Sequence, residues 1–164
     1  MKTLVVYYSY EGSSAWIADL IKESLNGDAD LLRVEPENEK KTHSMLGKYW
    51  WGGRQVLSSK KPKLKPYSID VNNYDLIIIG TPVWAWACPP AMAVFFSETK
   101  IEGKNIALFC CHGGGKGKIF EKMKTALPGN NFLDEVDFRE PRKRPAGVKD
   151  KVDAWIKELL SKAG

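Results

Sequence analysis

Near the amino end, Ser9-Tyr10-Glu11-Gly12-Ser13-Ser14 sets hydroxyls and one glycine between an apolar run, Thr3 to Tyr8, and a helical pattern. Residue types of this kind at a strand-to-helix junction can hold a phosphate. Free backbone N–H groups and the positive end of the helix dipole meet there, and serine hydroxyls add rotatable donors. The segment lacks the Gly-Lys-Ser/Thr ending of a P-loop and the three spaced glycines of a dinucleotide fingerprint. A neutral, hydroxyl-rich set suits a phosphate monoester, with Glu11 turned outward and contributing its amide. The plainer role for the same residues is a helix N-cap by Ser13 or another hydroxyl.

Two further segments carry the same ambiguity. Gly80-Thr81-Pro82-Val83-Trp84-Ala85-Trp86-Ala87 puts two indoles directly after the most apolar strand. Trp84 or Trp86 can flank a flat ring system, because stacked aromatics gain more than area burial alone. Pro82 stiffens the turn and Thr81 offers a hydroxyl. Core or interface packing is the competing use of both rings. Cys110-Cys111-His112-Gly113-Gly114-Gly115-Lys116-Gly117 has four glycines in five positions, which let a backbone approach a ligand and present amides to it. A flexible connection is the simpler use. His112 is a possible base, but no acidic partner to orient it is evident, so a turn or ring-edge contact is the expectation. Adjacent cysteines rarely form an unstrained bridge, so Cys110 reads as a small buried hydrophobe and Cys111 as a loop thiol.

The elements that must position these loops alternate along the chain. Strands are expected at Thr3–Tyr8, Ala29–Val34, Asp75–Gly80, Lys104–Cys110 and Phe132–Phe138. Helices are expected at Ala15–Leu25, Pro89–Ser97, Gly117–Leu127 and Val148–Lys162, with an irregular helix at Ser44–Leu57 and an extended basic stretch at Lys60–Pro66. The run Leu76-Ile77-Ile78-Ile79 is nearly continuous in apolar character, as a central parallel strand covered on both faces requires. Five strand–helix alternations argue for one three-layer α/β domain over residues 1–164, with a parallel sheet and right-handed crossovers. Ligands in such sheets lie beyond the carboxyl ends of the strands, where the strand order reverses. All three loops fall on that rim. A phosphate grip, an aromatic wall and an amide-rich edge together fit a phosphorylated planar aromatic cofactor.

Composition narrows the field further. The 164 residues are 43% hydrophobic and 27% charged, an ordinary balance for a water-soluble globular protein. No apolar stretch approaches the ~20 residues of a membrane helix, and Met1-Lys2 runs straight into a strand, so no secretion signal is expected. Three cysteines, two of them adjacent, form no disulfide framework, so a cytoplasmic location is expected. Two histidines and this cysteine spacing make no zinc site. The net charge of +5 favours anionic ligands or acidic partners. The lysines are spread along the chain, so a nucleic-acid partner is not expected.

On these residues the chain resembles the flavodoxin family, specifically the small flavodoxin-like FMN proteins of bacteria. The matching segments are Tyr8 to Ser14, Tyr74 to Trp86 (the most specific) and Leu108 to Gly115, and the likeness runs nearly the whole length. The resemblance implies a five-stranded parallel sheet of order 2-1-3-4-5 and one noncovalent FMN. It places Ser9, Glu11 (through its backbone), Gly12, Ser13 and Ser14 at the phosphate. It places Thr81, Pro82, Val83, Trp84 and Trp86 along the isoalloxazine, with Cys111, His112, Gly113 and Gly114 also along the flavin. The chain departs from the family in two ways. Glu and Ser stand where a Thr-Gly-Asn-Thr type of phosphate loop is common, and the chain is basic where many carriers are acidic. Trp50 and Trp51, in Tyr49 to Arg54, either roof the flavin, form a dimer surface or pack under the sheet, so monomer and homodimer both stay open.

Two functions fit a flavin. An electron carrier needs no substrate pocket and works with a redox partner protein. A small NAD(P)H:quinone-type reductase takes a nicotinamide nucleotide and a small-molecule acceptor. The chain shows no separate nicotinamide-binding unit and no acid–base pair, which favours the carrier. The basic segment Arg139 to Pro145, expected on the same rim, suits an acidic protein partner or the phosphates of NAD(P)H. Outside the flavin class, a hydrolase using Ser9 or Ser13 with His112 lacks a Gly-x-Ser-x-Gly elbow. A phosphate-receiver domain lacks its acidic cluster, and a plain binding module is the third alternative.

Overall fold

The computed structural model describes residues 1–39 and 61–164. The expected helix at Ser44–Leu57 and the Tyr49 to Arg54 segment lie outside the described residues. The strands are β1 (Thr3–Tyr7), β2 (Ala29–Arg33), β3 (Leu76–Pro82), β4 (Asn105–His112) and β5 (Asn131–Arg139). The helices are α1 (Ser13–Ser24), α2 (Pro90–Glu98), α3 (Ile119–Ala126) and α4 (Val148–Ala163). All strand pairs are parallel, in the order β2-β1-β3-β4-β5. The expected topology is therefore present.

Two-residue periodicity explains why the central strands read as unbroken apolar runs. Leu4, Val6, Ile77, Ile79, Ile106, Leu108 and Cys110 face one core, under α2 and α3, with Met92, Phe95, Ile119 and Met123 packed on them. Val5, Leu76, Ile78, Ala107, Phe109 and Cys111 face the other, under α1 and α4, with Ile17, Ile21, Val152 and Ile156. Burying one such aliphatic side chain contributes about 1.5–3 kcal/mol, so these strands carry much of the stability. Cys110 and Cys111 are neighbours on β4 and consequently lie in opposite cores, each as a free thiol. Cys111 is thus a buried strand residue and not a loop thiol.

Gly80 is dictated by this packing. Its partner in the β3–β4 register is Phe109, and a Cβ at Gly80 would sit 1.9 Å from Phe109 Cζ. The ring occupies the space that a side chain at Gly80 would need.

The chain departs from the expected boundaries mainly at the site. β3 runs on to Pro82 and β4 to His112, each two residues further than the residue types indicate, because Thr81 pairs with Cys110 and Pro82 with Cys111. Residues 61–66 include the expected extended stretch: Leu64 bridges Pro36, and Glu37 N–H donates to Lys63 O at 2.8 Å. Among the described residues, no helix is long and apolar enough to cross a membrane, and no cluster of His, Cys, Asp and Glu is suited to a metal.

Candidate functional site

The chain turns in opposite directions from β1 and β3, to β2 on one side and to β4 on the other, so the loops after these two strands diverge at the carboxyl end and open a crevice. The first loop, between β1 and α1, is drawn tight by Ser9. Its hydroxyl accepts the Ala15 N–H at 3.1 Å, and its carbonyl oxygen accepts from Arg33 Nη2 at 2.9 Å. Ser9, not Ser13, therefore supplies the hydroxyl that caps a free helix donor. Gly12 occupies the N-cap position at φ +92°, a conformation glycine adopts at no steric cost.

Ser14 lies in the first turn of α1, 1% exposed, and its Oγ makes no hydrogen bond of normal geometry. It does help lower the pKa of the Cys111 thiol, which burial pushes up to about 12. A buried hydroxyl with only a weak thiol beside it is costly unless something else supplies a stronger partner. Beside it are the free N–H groups of a twelve-residue helix. An anion with several acceptor oxygens is the partner such an arrangement takes. Ser13 is half-buried and Glu11 is exposed.

The second loop contains a tight reversal. Trp84 N–H donates to Ala87 O at 3.0 Å and Ala87 N–H to Trp84 O at 2.9 Å. The two residues between them, Ala85 and Trp86, have φ of +47° and +59°. Non-glycine residues in this region cost roughly 1–2 kcal/mol each, so the turn stores strain. Its effect is to separate the two indoles. Trp84 turns back against the first loop, its ring edge-on to Tyr8 at 5.7 Å and to Tyr10 at 5.8 Å. Trp86 is thrown outward and is 68% exposed. It leans over the third loop, where a Cβ at Gly117 would lie 2.9 Å from its Cδ1, and its carbonyl oxygen accepts from Lys122 Nζ at 2.8 Å. Of the other residues singled out here, Thr81 is buried with its hydroxyl donating to Pro82 O at 3.0 Å, while Pro82 and Val83 are half-buried at the strand end. Val83 N–H donates to Cys111 O at 2.9 Å and ties the second loop to β4.

At the end of β4, His112 does have an acidic partner, contrary to expectation. Its Nε2 lies 2.9 Å from Asp137 Oδ2 on β5, and its side chain is 8% exposed. Lys116 Nζ reaches the other carboxylate oxygen at 3.2 Å. Burial works against the charge on Asp137, but the bonds from His112 and Lys116 outweigh it and hold this carboxyl below its ordinary range. Facing a carboxylate, Nε2 carries the proton, and the ring is held in one orientation. Nδ1 is buried and has no partner. Gly113 and Gly114 are exposed, with open space where a Cβ would be.

The segment after β5 closes the rim. Glu140 N–H donates to His112 O at 2.8 Å, Arg139 Nε to Gly113 O at 3.3 Å and Arg142 Nη1 to Glu11 O at 3.0 Å. All fourteen residues singled out from the sequence therefore lie at or beside one end of the sheet, and the loops bearing them touch. Asp137 and Arg33 join them unannounced, brought in by strand register and rim topology alone, while Arg142, expected on the rim as part of the basic segment, turns back onto the first loop. A Ser–His pairing of the hydrolase type does not form among the described residues, since Ser9 Oγ is engaged with Ala15 and His112 Nδ1 meets no hydroxyl.

A doubly wound sheet of this order, with hydroxyls, indoles and amides gathered at its switch point, defines a class of small α/β proteins that hold phosphorylated aromatic ligands. Residues 2–159 match the flavodoxin model, and the chain belongs to the flavodoxin family. No curated protein matches the sequence. Among solved structures, a candidate flavoprotein from Bacteroides uniformis shares 25% identity at a TM-score of 0.78, over 95% of this chain and 97% of that one. The Lactobacillus acidophilus flavoprotein in complex with FMN shares 24% at 0.71, over 87% and 97%. The Fusobacterium nucleatum flavodoxin bound to flavin mononucleotide shares 13% at 0.62, over 99% of both chains. Likeness at these identities is a likeness of fold.

Proposed function

We propose that this chain binds one FMN noncovalently at the carboxyl rim of the sheet and works as a cytoplasmic electron carrier. The observation that carries the reading is the buried Ser14 hydroxyl in the first turn of α1, which has no hydrogen bond of normal geometry and only the weak Cys111 thiol beside it, next to free helix N–H groups. A phosphate monoester supplies the acceptor oxygens that this hydroxyl and these N–H groups can use, and family membership supplies the flavin. Two of the neighbours in fold, the Lactobacillus flavoprotein and the Fusobacterium flavodoxin, carry FMN.

In this reading Ser13, Ser14 and the amides of Glu11 and Gly12 bind the phosphate. Trp86 covers one side of the ring system, with Pro82, Val83 and Trp84 forming the base of the second loop. The exposed amides of Gly113 and Gly114 meet the polar edge of the ring, and His112 Nδ1 offers a further hydrogen-bonding position that Asp137 keeps aimed. When bound, the flavin supplies one- and two-electron transfer; the protein orients it and sets the surrounding charge. The basic segment after β5 suits docking of an acidic redox partner.

The test is a visible spectrum of the purified protein during anaerobic reduction, with and without NADH and NADPH. The reading expects a flavin spectrum, sluggish direct reduction by either nucleotide and fast reduction by a partner protein. Rapid direct oxidation of NAD(P)H makes the protein a reductase. A colourless protein that takes up no added FMN ends both readings.

A further inference from the structure

The basic segment after β5 divides its three central cations between two tasks. Glu140, at φ +44°, starts a turn in which its carbonyl oxygen accepts from both Lys143 N–H and Arg144 N–H at 2.9 Å. Its carboxylate holds the same two side chains, Lys143 Nζ at 2.7 Å and Arg144 Nη2 at 3.5 Å. Pro141 is buried beneath. This frame fixes the backbone on either side of Arg142 and points its guanidinium elsewhere. Arg142 reaches the first loop, 131 residues away in sequence, and donates to Glu11 O. It lies so close over Gly12 that a Cβ there would be 2.6 Å from Nη1. Gly12 takes a left-handed φ and, having no side chain, also leaves room for this cation to approach.

The first loop brings no positive charge of its own. Its one carboxylate, Glu11, is of the same sign as a phosphate, and its hydroxyl and amide donors are neutral. Arg33, on the opposite side, already faces the Glu35 carboxylate at 3.4 Å. A guanidinium presents several donors in a rigid fork matched to phosphate oxygens, and one N–H on the Glu11 carbonyl leaves the others available.

We propose that Arg142 is a phosphate-recognition residue of the first loop, and that it makes the site selective for the phosphorylated flavin over riboflavin. The proposal rests on the flavin reading above. It reassigns Arg142 from partner docking, which is left to Lys143 and Arg144.

The experiment titrates flavin-stripped protein with FMN and, separately, with riboflavin, following the quenching of flavin fluorescence in wild type, R142A, R142K and K157A. R142A is expected to raise the Kd for FMN by about tenfold or more, the scale of a lost charge-assisted hydrogen bond, and to leave the Kd for riboflavin unchanged. R142K is expected to fall between, and K157A, which removes an exposed cation on α4, to match wild type. In wild type the Kd for FMN should rise with salt more steeply than that for riboflavin, and R142A should lose most of that difference. Equal weakening of both flavins would make Arg142 a structural latch on the loop and overturn the proposal, as would no change in either. Should R142A fail to fold, R142K and the wild-type salt series decide by the same criteria. Wild-type protein that binds riboflavin and FMN equally overturns this inference alone; wild-type protein that binds neither overturns the flavin reading and this inference with it.

Discussion

At the amino-terminal end of the sheet polar groups close on one another, while at the carboxyl-terminal end they are left open. Asn130 uses both ends of its amide at the former. Its Nδ2 donates to Ile101 O at 2.7 Å and Leu127 O at 3.1 Å, and its Oδ1 accepts from Lys104 N–H at 3.0 Å. Lys104 Nζ satisfies Asn72 O and Tyr74 O, and Lys2 N–H reaches Asp75 at 2.7 Å. At the other end Ser14 Oγ and His112 Nδ1 are buried and make no hydrogen bond of normal geometry. There too Ala85, Trp86 and Glu140 hold strained left-handed backbone, and an indole stands in solvent. One end is built to hold the fold and the other to hold something else. Strain and unmet hydrogen bonds persist only where the surroundings enforce them; among the described residues, left-handed Asn26 after α1 and the unpartnered Trp155 Nε1 on α4 stand outside the site, and the others gather at it.

This contrast can be broken by substitution. Gly80→Ala sets the upper scale, because it drives a methyl group into the Phe109 ring between both ends. It should cost about 3 kcal/mol or prevent folding, as overpacking of a rigid core does, read by urea unfolding. Asn130→Ala should cost roughly 1–3 kcal/mol by leaving backbone groups unpaired, yet leave FMN affinity untouched. Ser14→Ala should do the opposite, with unfolding free energy unchanged or slightly raised and FMN bound about tenfold more weakly. Trp86→Gly should raise the stability of the flavin-free protein by about 1 kcal/mol through relief of the left-handed turn, while weakening FMN and riboflavin alike.

The smallest effect expected concerns pH. Asp137 has its carboxyl held below the ordinary range in the folded protein. The stability it contributes is complete above the unfolded carboxyl pKa of about 4 and is lost as pH falls through the folded value. Asp137→Asn should therefore lower stability near neutrality by that contribution and flatten the profile below about pH 4, so that the variant and wild type converge in acid, as chemical unfolding at stepped pH would show.

Much of this was open to reading before any coordinates. Apolar runs and helical spacing locate all five strands and the four described helices, because two-sided burial demands them. The three loops follow from the topology of a doubly wound sheet. What escapes is whatever depends on register or on distant approach. Asp137 and His112 sit on one face of β4 and β5 only because His112 pairs with Arg139, two residues on, after an irregularity at Ile106 and Ala107. A shift of one residue would turn Asp137 to the other face, and no residue type announces that shift. Thr81 and Pro82 look like loop by composition, yet pairing with β4 keeps them in the strand. The opposite fates of Trp84 and Trp86 are set by a left-handed Ala85–Trp86 turn that neither residue favours. Arg142 reads as one cation in a basic run until the turn at Glu140 aims it.

The most direct test follows the backbone amides of isotopically labelled, flavin-stripped protein by nuclear magnetic resonance as FMN is added. The account predicts saturable shifts at Glu11 to Ser14, Val83 to Ala87 and His112 to Gly115, with Lys104 and Asn130 at the opposite end unmoved. Shifts centred on that opposite end, or none at a saturating concentration of FMN, would contradict it.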